Sequence, residues 1–184
     1  MNLLIAGMLI FFGVHLLPNI GDTRARLIHR VGEKGYMPVY ALLSLAGIVM
    51  ISMGKSRAEF SSLWLPPVWG QQVTLVLMAV SIFCFVSIFL PNNLTRKVHH
   101  PMLLFVTVWA LAHLFSNGDL SSLLLFGSFA VFSLFKMVSL TRRKPPQAKP
   151  AVSMVRDVFA LLLTVVIYGA VMHFHPAIAG VAIV

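Results

Sequence analysis

The chain has 184 residues, of which 59% are hydrophobic and 10% are charged, and its formal net charge is +9. A soluble domain of this length could not bury so much apolar surface, so the composition indicates a membrane protein. The basic residues lie in short segments between apolar stretches, which excludes a nucleic-acid-binding face as their explanation. The single cysteine, Cys84, lies in an apolar stretch, so the sequence excludes a disulfide framework and a cysteine metal cluster.

Six apolar stretches follow one another along the chain. They are predicted to form transmembrane helices over residues 2–17, 37–54, 72–90, 101–116, 119–138 and 155–175. A helix needs about 20 residues to cross the hydrocarbon core, so the first and fourth stretches are short. Helix ends are predicted from the prolines at Pro18, Pro38, Pro91 and Pro101. The predicted fold class is all-α, a polytopic transmembrane helix bundle with about six spans.

The basic residues predict the orientation of the bundle. Of the 14 lysines and arginines, all but Lys55 and Arg57 fall in the first, third and fifth connections or at their edges. Positive charge is enriched on the cytoplasmic side of membrane proteins, so we expect both termini in the periplasm. The predicted location is the inner (cytoplasmic) membrane of a bacterium, with the lipid bilayer as the first partner.

A basic, proline-containing segment near the C-terminus predicts a linker. It covers residues 141–154 and includes Lys144, Pro145 and Pro146. Such a composition is typical of an extended connection rather than a helix. The predicted organisation is a five-span core over 1–140, this cytoplasmic linker, and a last helix with a C-terminal tail over 155–184.

His15 closes the first span and shares a helix face with Phe11, one turn earlier. Met8 and Gly7 lie a further turn back. An imidazole inside a membrane is costly unless it is bound or paired, and histidine is a frequent iron ligand. An aromatic and thioether wall beside a histidine suits a flat macrocycle. The alternative is a core histidine that is hydrogen-bonded to a neighbouring helix, and this span alone favours that alternative.

His113 near the end of the fourth span has similar surroundings. Trp109 and Asn117 lie at i−4 and i+4 on its face, where Trp109 could pack against a ring and Asn117 could orient the imidazole. A helix-end histidine bound to the following turn is the alternative. His100 opens the same span, about 20 Å from His113 along the axis and on the opposite face, so these two cannot ligate one small metal.

Other chemistries find little support in the sequence. It contains no serine–histidine–acid signature, no phosphate-binding loop and no zinc protease motif. The five acidic residues all lie at or outside the predicted span ends. A proton-coupled transporter usually needs an acid within the membrane, so this class is disfavoured.

Several sequence blocks spread over nearly the whole chain resemble the NnrU family of bacterial integral membrane proteins. The blocks are Gly13–Pro18, Arg24–Leu27, Gly35–Gly47, His100–Leu103, Trp109–Leu114, Asn117–Leu120 and Leu125–Gly127. The resemblance implies a link to denitrification and to nitrite or nitric oxide reduction. It also implies respiratory nitrogen-oxide reductases as partners.

The NnrU family is in turn similar to the 15-cis-zeta-carotene isomerases, membrane enzymes that bind haem b. Carried over by motif, the resemblance implies His15 and His113 as the haem and metal ligands. Phe11, Trp109 and Asn117 are candidate cofactor-binding residues because they share helix faces with these histidines. Those isomerases have a cysteine three residues before the second histidine, where this chain has Ala110. This difference argues against a ligand switch, and hence against close identity of mechanism.

Three functions follow as hypotheses. The first is a haem b protein with a redox or electron-transfer role. Its ligands would be His15 and His113, with His100 in reserve as the second ligand. The second is a non-catalytic assembly factor for nitrite or nitric oxide reductase. The third is a haem-dependent polyene isomerase with an apolar small molecule in a long cavity. Asp22 and the Arg24–Arg26 segment either hold haem propionates or anchor the first connection, and the sequence favours an anchor.

Overall fold

The computed structural model describes residues 1–143 and 149–180, and these residues are predominantly α-helical. The helices are α1 (Asn2–Leu16), α2 (Thr23–Val31), α3 (Glu33–Ser56), α4 (Gly70–Phe89), α5 (Pro101–Ser116), α6 (Leu120–Ser122), α7 (Ser128–Arg143) and α8 (Met154–Ala179). A 3₁₀ turn (Leu17–Asn19) follows α1, and a π-helical segment (Leu123–Gly127) joins α6 to α7. Predicted linker residues 144–148 and tail residues 181–184 lie outside the described residues.

Five helical segments in the described part of the chain are long and apolar enough to cross a membrane. They correspond to α1 with its 3₁₀ turn, α3, α4, the continuous run Leu120–Arg143, and α8. Helix α5 has 16 residues and is shorter. Many large apolar side chains are exposed, including Val158, Leu162 and Val165 on α8, as lipid contact requires. The predicted all-α polytopic bundle is confirmed, whereas the side on which the termini lie stays a prediction.

The chain consists of two compact units, a first unit, Met1–Ser61, and a second unit, Ser62–Val184. In the first unit, α1 packs on α3 through glycines on both helices. A Cβ atom added to Gly7 would lie 2.7 Å from the Ile51 backbone nitrogen, and one added to Gly54 would overlap the Leu4 backbone. The two helix backbones therefore approach closely, as small residues allow in lipid, where burial gives little driving force.

Helix α2 comes between α1 and α3 in the chain. It was not predicted, because the basic residues of this segment indicated a loop. It carries Arg24, Arg26 and Arg30 and is flanked by Gly21 (φ 49°) and Gly32 (φ 73°). Positive φ is readily adopted by glycine alone, so these two residues permit the sharp changes of direction at its ends. Basic amphipathic helices of this kind are typical of a membrane interface.

Pro38 does not end a helix, contrary to the prediction. It lies inside α3, which begins at Glu33 and continues to Ser56. Pro38 lies just beyond the first turn of α3, where the backbone amide groups have no intrahelical partners. A proline at this position removes only one backbone hydrogen bond of the helix. The prolines after α4 and at the start of α5 do mark helix boundaries, as predicted.

In the second unit, α4 packs against α5 and α8, and α5 packs against α7. Hydroxyl groups join α4 to α5 and α5 to α7. The Ser81 hydroxyl donates to the Phe105 carbonyl at 3.0 Å, and the Thr107 and Ser133 hydroxyls lie 2.7 Å apart. Such bonds between helices satisfy polar groups that lipid cannot solvate.

The start of α8 is fixed by Asn93, which follows α4. The Asn93 amide exchanges hydrogen bonds with the Val152 backbone, accepting at 2.9 Å and donating at 2.6 Å. Its side-chain amide and backbone N–H also donate to the two Asp157 carboxylate oxygens at 2.8 and 2.6 Å. We call this set of bonds the Asn93 clamp. The three-part domain organisation predicted from the sequence stays a prediction.

Candidate functional site

His15 lies near the end of α1 in the first unit, and its ring is held by its own helix. Its Nδ1 lies 2.7 Å from the Phe11 carbonyl oxygen. A carbonyl can only accept, so Nδ1 carries the proton in this bond. In the neutral ring, the lone pair is then on Nε2.

Aromatic rings surround His15 in the first unit. Phe11 stacks on the imidazole with ring centroids 4.1 Å apart, as the shared helix face predicts, and Tyr40 of α3 lies at 5.2 Å. Tyr36 stacks on Tyr40 at 6.0 Å, and the Arg24 guanidinium lies 5.7 Å from the Tyr36 ring centroid. The sequence did not single out the two tyrosines, although their i, i+4 spacing places them on one face of α3.

His113 near the end of α5 repeats the hydrogen bond of His15. Its Nδ1 lies 2.8 Å from the Trp109 carbonyl oxygen, so the same tautomer results. The Asn117 amide donates to the His113 backbone carbonyl at 2.8 Å. Asn117 thus caps the end of α5 in this structure and makes this bond to the His113 main chain rather than to its ring.

The π-helical segment provides a stacking partner for His113. Phe126 lies in this segment, and its ring stacks on the imidazole with centroids 4.5 Å apart and an interplanar angle of 20°. Trp109 lies 5.3 Å from the imidazole and meets Phe126 and Phe129 edge to face. Single-turn π segments occur often at functional sites. Phe126 was missed, because nothing in an apolar helical sequence signals a π turn.

Asp119 fixes the start of the segment that carries Phe126. Its carboxylate accepts from the Ser122 backbone N–H at 2.9 Å and from the hydroxyls of Ser121 and Ser122. Aspartate at this position satisfies amide groups that a helix start leaves unpaired. The preceding Gly118 carbonyl accepts from the backbone N–H groups of Leu63 and Trp64 at 2.8 and 3.1 Å. Hydrogen bonds therefore hold the Asn-Gly-Asp turn both to the helix that follows and to the segment at Leu63 and Trp64.

His100 differs from the other two candidate ligands. It precedes α5, and its Nε2 lies 3.2 Å from the Thr141 hydroxyl at the end of α7. His100 Nε2 is thus hydrogen-bonded to a side chain at the end of α7, whereas the bonds described for His15 and His113 are to their own helices. The structure brings Phe11 to His15 in the first unit, and brings Trp109 to the ring of His113 in the second.

Within the described residues, neither a group of metal-ligating side chains nor the two cavities given below indicate a further site for iron or haem. Within residues 1–143 and 149–180, no group of three or more His, Cys, Asp or Glu residues is placed to hold a metal ion. A haem with two histidine ligands needs no such group, because the porphyrin nitrogens supply the rest. One cavity of about 330 Å³ is lined by Phe135, Val138, Ser139, Arg142 and Arg143, and another of about 160 Å³ by Thr23, Arg26, Leu27 and Arg30. No candidate ligand lines either cavity.

The comparisons with known proteins agree with the sequence blocks quoted above. The model of the NnrU protein family matches residues 3–183. Neither curated proteins nor solved structures give a significant match. Because the family match covers nearly the whole chain, and because several helices are suited to a bilayer, this chain is a multi-pass membrane protein that belongs to the NnrU family.

Proposed function

We propose that this protein binds haem b, with His15 and His113 as axial ligands, and that it has a redox or electron-transfer role in nitrogen-oxide metabolism. The observation that carries the proposal is a hydrogen bond of the same kind at each of the two histidines. In each, Nδ1–H donates to the carbonyl of the residue four positions earlier, at 2.7 and 2.8 Å.

This bond prepares a histidine for iron. Histidines that bind metals almost always donate their other ring N–H to a carboxylate, carbonyl or water, which fixes the tautomer and raises the basicity of the ligating nitrogen. Both rings are half-buried, and each has an aromatic ring stacked against it, Phe11 on His15 and Phe126 on His113. These residues suit a flat apolar macrocycle whose iron needs a rigidly oriented imidazole.

The chain's own residues would orient the ligands and exclude water. Phe11 and Phe126 limit the rotation of the imidazoles, and Trp109 packs beside His113. When bound, haem b supplies one-electron redox chemistry, and ligation by two histidines favours electron transfer over substrate binding at the iron. The link to nitrogen-oxide metabolism and to respiratory reductases rests on the resemblance to the NnrU family alone.

The isomerase hypothesis gains no support from the structure. The position of the alternative cysteine ligand is occupied by Ala110, which is 0% exposed. A methyl group cannot ligate iron, and its burial leaves no open surface at this position. The hypothesis of a non-catalytic assembly factor requires no cofactor. A test for bound haem therefore decides between this hypothesis and the proposal.

The test is the absorption spectrum of the purified protein in detergent, oxidised and reduced with dithionite, together with a pyridine haemochrome assay. We expect a Soret band, sharp reduced α and β bands, and near-stoichiometric haem. His15→Ala and His113→Ala should each lose the low-spin spectrum. His100→Ala, the matched control, should keep it. A protein that stays colourless after haem is supplied during expression would contradict the proposal and leave the assembly factor.

A further inference from the structure

The larger of the two cavities described above lies at the C-terminal end of α7, in the second unit. It has a volume of about 330 Å³ and is lined by Phe135, Val138, Ser139, Arg142 and Arg143. The first four of these residues are spaced i, i+3, i+4 and i+7, so they share one face of the helix. All five belong to one helix, so the cavity is a groove along its surface, which we call the α7 groove.

One part of the α7 groove is apolar and accessible from lipid. Phe135 is 50% exposed and Val138 is 51% exposed. Val131 and Leu134, which precede them on α7, are exposed as well. Helix α7 belongs to a segment long and apolar enough to cross a membrane, so this exposed side contacts hydrocarbon in a bilayer. The groove therefore begins on a surface where acyl chains lie.

The other part of the α7 groove carries positive charge that no carboxylate of the second unit is free to neutralise. Arg142 and Arg143 are exposed and end α7. The only acidic residues in the sequence of this unit are Asp119 and Asp157. Asp119 accepts bonds from the helix start that follows it, and Asp157 belongs to the Asn93 clamp. The anion that complements the two guanidinium groups must therefore come from outside this unit.

The combination of the two parts indicates the class of ligand. Arginine at the end of a span often only extends to the interface, so the charge alone would not indicate a ligand. A phospholipid joins a phosphate to acyl chains, and guanidinium groups bind phosphate through paired N–H donors. A volume of about 330 Å³ is in the lower range of ligand sites, enough for a headgroup whose chains continue along α7. The cavity on α2 has Arg26 and Arg30 but only Leu27 as an apolar residue, so it lacks a comparable surface for a chain.

We propose that the α7 groove binds one anionic phospholipid. The Arg142 and Arg143 guanidinium groups bind its phosphate, and an acyl chain lies along Phe135 and Val138. The basic residues predict that this end of α7 faces the cytoplasm, where the membrane surface is negatively charged. The inference does not depend on bound haem, because no candidate haem ligand lines this cavity.

The test measures lipid binding to the full-length protein by native mass spectrometry. Phosphatidylglycerol is the anionic probe, and phosphatidylcholine with the same acyl chains is the zwitterionic comparison. We expect phosphatidylglycerol to bind about tenfold more tightly, because its phosphate charge is not offset within the headgroup. An excess of sn-glycerol 3-phosphate should not displace it, because this compound has the phosphate but no acyl chain.

The first pair of variants tests the charged part of the groove. The double variant Arg142→Gln and Arg143→Gln should weaken the binding of phosphatidylglycerol about tenfold, because both cationic phosphate contacts are lost. The double variant Arg96→Gln and Lys97→Gln is the matched control. It also removes two positive charges from the second unit, but neither residue lines the groove. Its affinity should stay within about twofold of the wild type.

The second pair tests the apolar part without changing any charge, and it decides the question if the arginine variant does not insert correctly. Val138→Trp should weaken binding about fivefold, because the indole occupies the space of the acyl chain. Val131→Trp is the matched control. It adds the same ring two turns earlier on the same face of α7, outside the residues that line the groove, so binding should be as in the wild type.

Each outcome supports or overturns the lipid site. Equal binding of the two lipids by the wild type overturns it, as does displacement of phosphatidylglycerol by sn-glycerol 3-phosphate. An equal loss in the arginine variant and its control would assign the binding to general surface charge, and unchanged binding in Val138→Trp would exclude the groove. Selective losses in the arginine variant and in Val138→Trp, with both controls like the wild type, support the site.

Discussion

The two units of the molecule hold their helices together by partly different means. In the first unit, α1 and α3 approach through glycines, and a Cβ atom on Gly47 would lie 2.9 Å from the Phe11 Cβ. In the second unit, Gly70 also brings α4 close to the Phe115 carbonyl of α5, and hydroxyls such as those of Thr107 and Ser133 bond across helices in addition. Lipid gives no hydrophobic drive for helix association, so either close backbone contact or polar bonds must supply it. The glycine contacts leave no space for an added side-chain atom, whereas helices joined by hydroxyl hydrogen bonds tolerate the loss of one bond.

The largest effect that we expect comes from adding a methyl group to the glycine contact. Gly54→Ala would place its Cβ against the Leu4 backbone, which cannot rotate away as a side chain would. We expect it to destabilise the protein by about 3 kcal/mol, the upper range for overpacking. Thermal unfolding in detergent, followed by circular dichroism, measures the change.

The matched control for this substitution is Gly13→Ala on α1. A Cβ atom there meets nothing within 4 Å, so helix propensity alone should act, and the variant should be as stable as the wild type or slightly more so. Equal melting temperatures for the two alanine variants would show that the close contact between α1 and α3 does not contribute to stability.

An intermediate effect is expected at the Asn93 clamp, a set of polar bonds that holds the start of α8 in the second unit, where α8 also packs against α4 through apolar side chains. Asn93→Ala removes the bonds to Val152 and leaves the Asp157 carboxylate without two donors. We expect a loss of about 2 kcal/mol, from several bonds of about 1 kcal/mol each with partial replacement by water. Faster amide hydrogen exchange at the start of α8 measures this loss.

Asp157→Asn serves as the comparison for the clamp. It preserves the size of the side chain and one oxygen acceptor, so it should destabilise the protein less than Asn93→Ala does. If hydrogen exchange in α8 is the same in the wild type and in Asn93→Ala, the clamp does not hold this helix.

The smallest effect is expected from a single hydroxyl pair. Thr107→Val and Ser133→Ala each remove one partner of a 2.7 Å hydrogen bond. A double-mutant cycle on melting in detergent should give a coupling energy of about 0.6 kcal/mol, typical of interhelical hydrogen bonds in membranes. A coupling several times larger would show that the second unit depends on individual bonds as strongly as the first depends on its glycines.

The sequence was sufficient for the long apolar helices, but not for α2 or for the contacts between helices. Long apolar stretches predict spans, because a bilayer demands about 20 apolar residues whatever the packing. Helix α2 was not predicted because its arginines suit a basic loop as well as a helix, and its apolar residues, such as Leu27 and Val31, are too few to indicate a span. Pro38 was misjudged because a proline at a helix start and one just inside a helix look alike in sequence.

The candidate site was predictable only where its residues lie close in the chain. The stacking of Phe11 on His15 follows from the i, i+4 spacing, as does the contact between Trp109 and His113. The clamp joins Asn93 to Asp157, which are 64 positions apart, and no local pattern encodes such a pair. The burial of the Tyr36 side chain was likewise not predictable, because burial depends on how α2 and α3 meet.

The π-helical segment makes the surroundings of His113 depend on chain length. A turn of this kind holds one residue more than an α-turn, and each residue of a helix corresponds to a rotation of about 100°. Deleting one residue within Leu123–Gly127 would force that rotation on one side of the deletion. Either Phe126 would turn relative to α7, or the Asp119 cap would turn relative to Phe126. The stacked ring and the cap cannot both keep their places, so the count of residues in this short stretch matters as much as their identity.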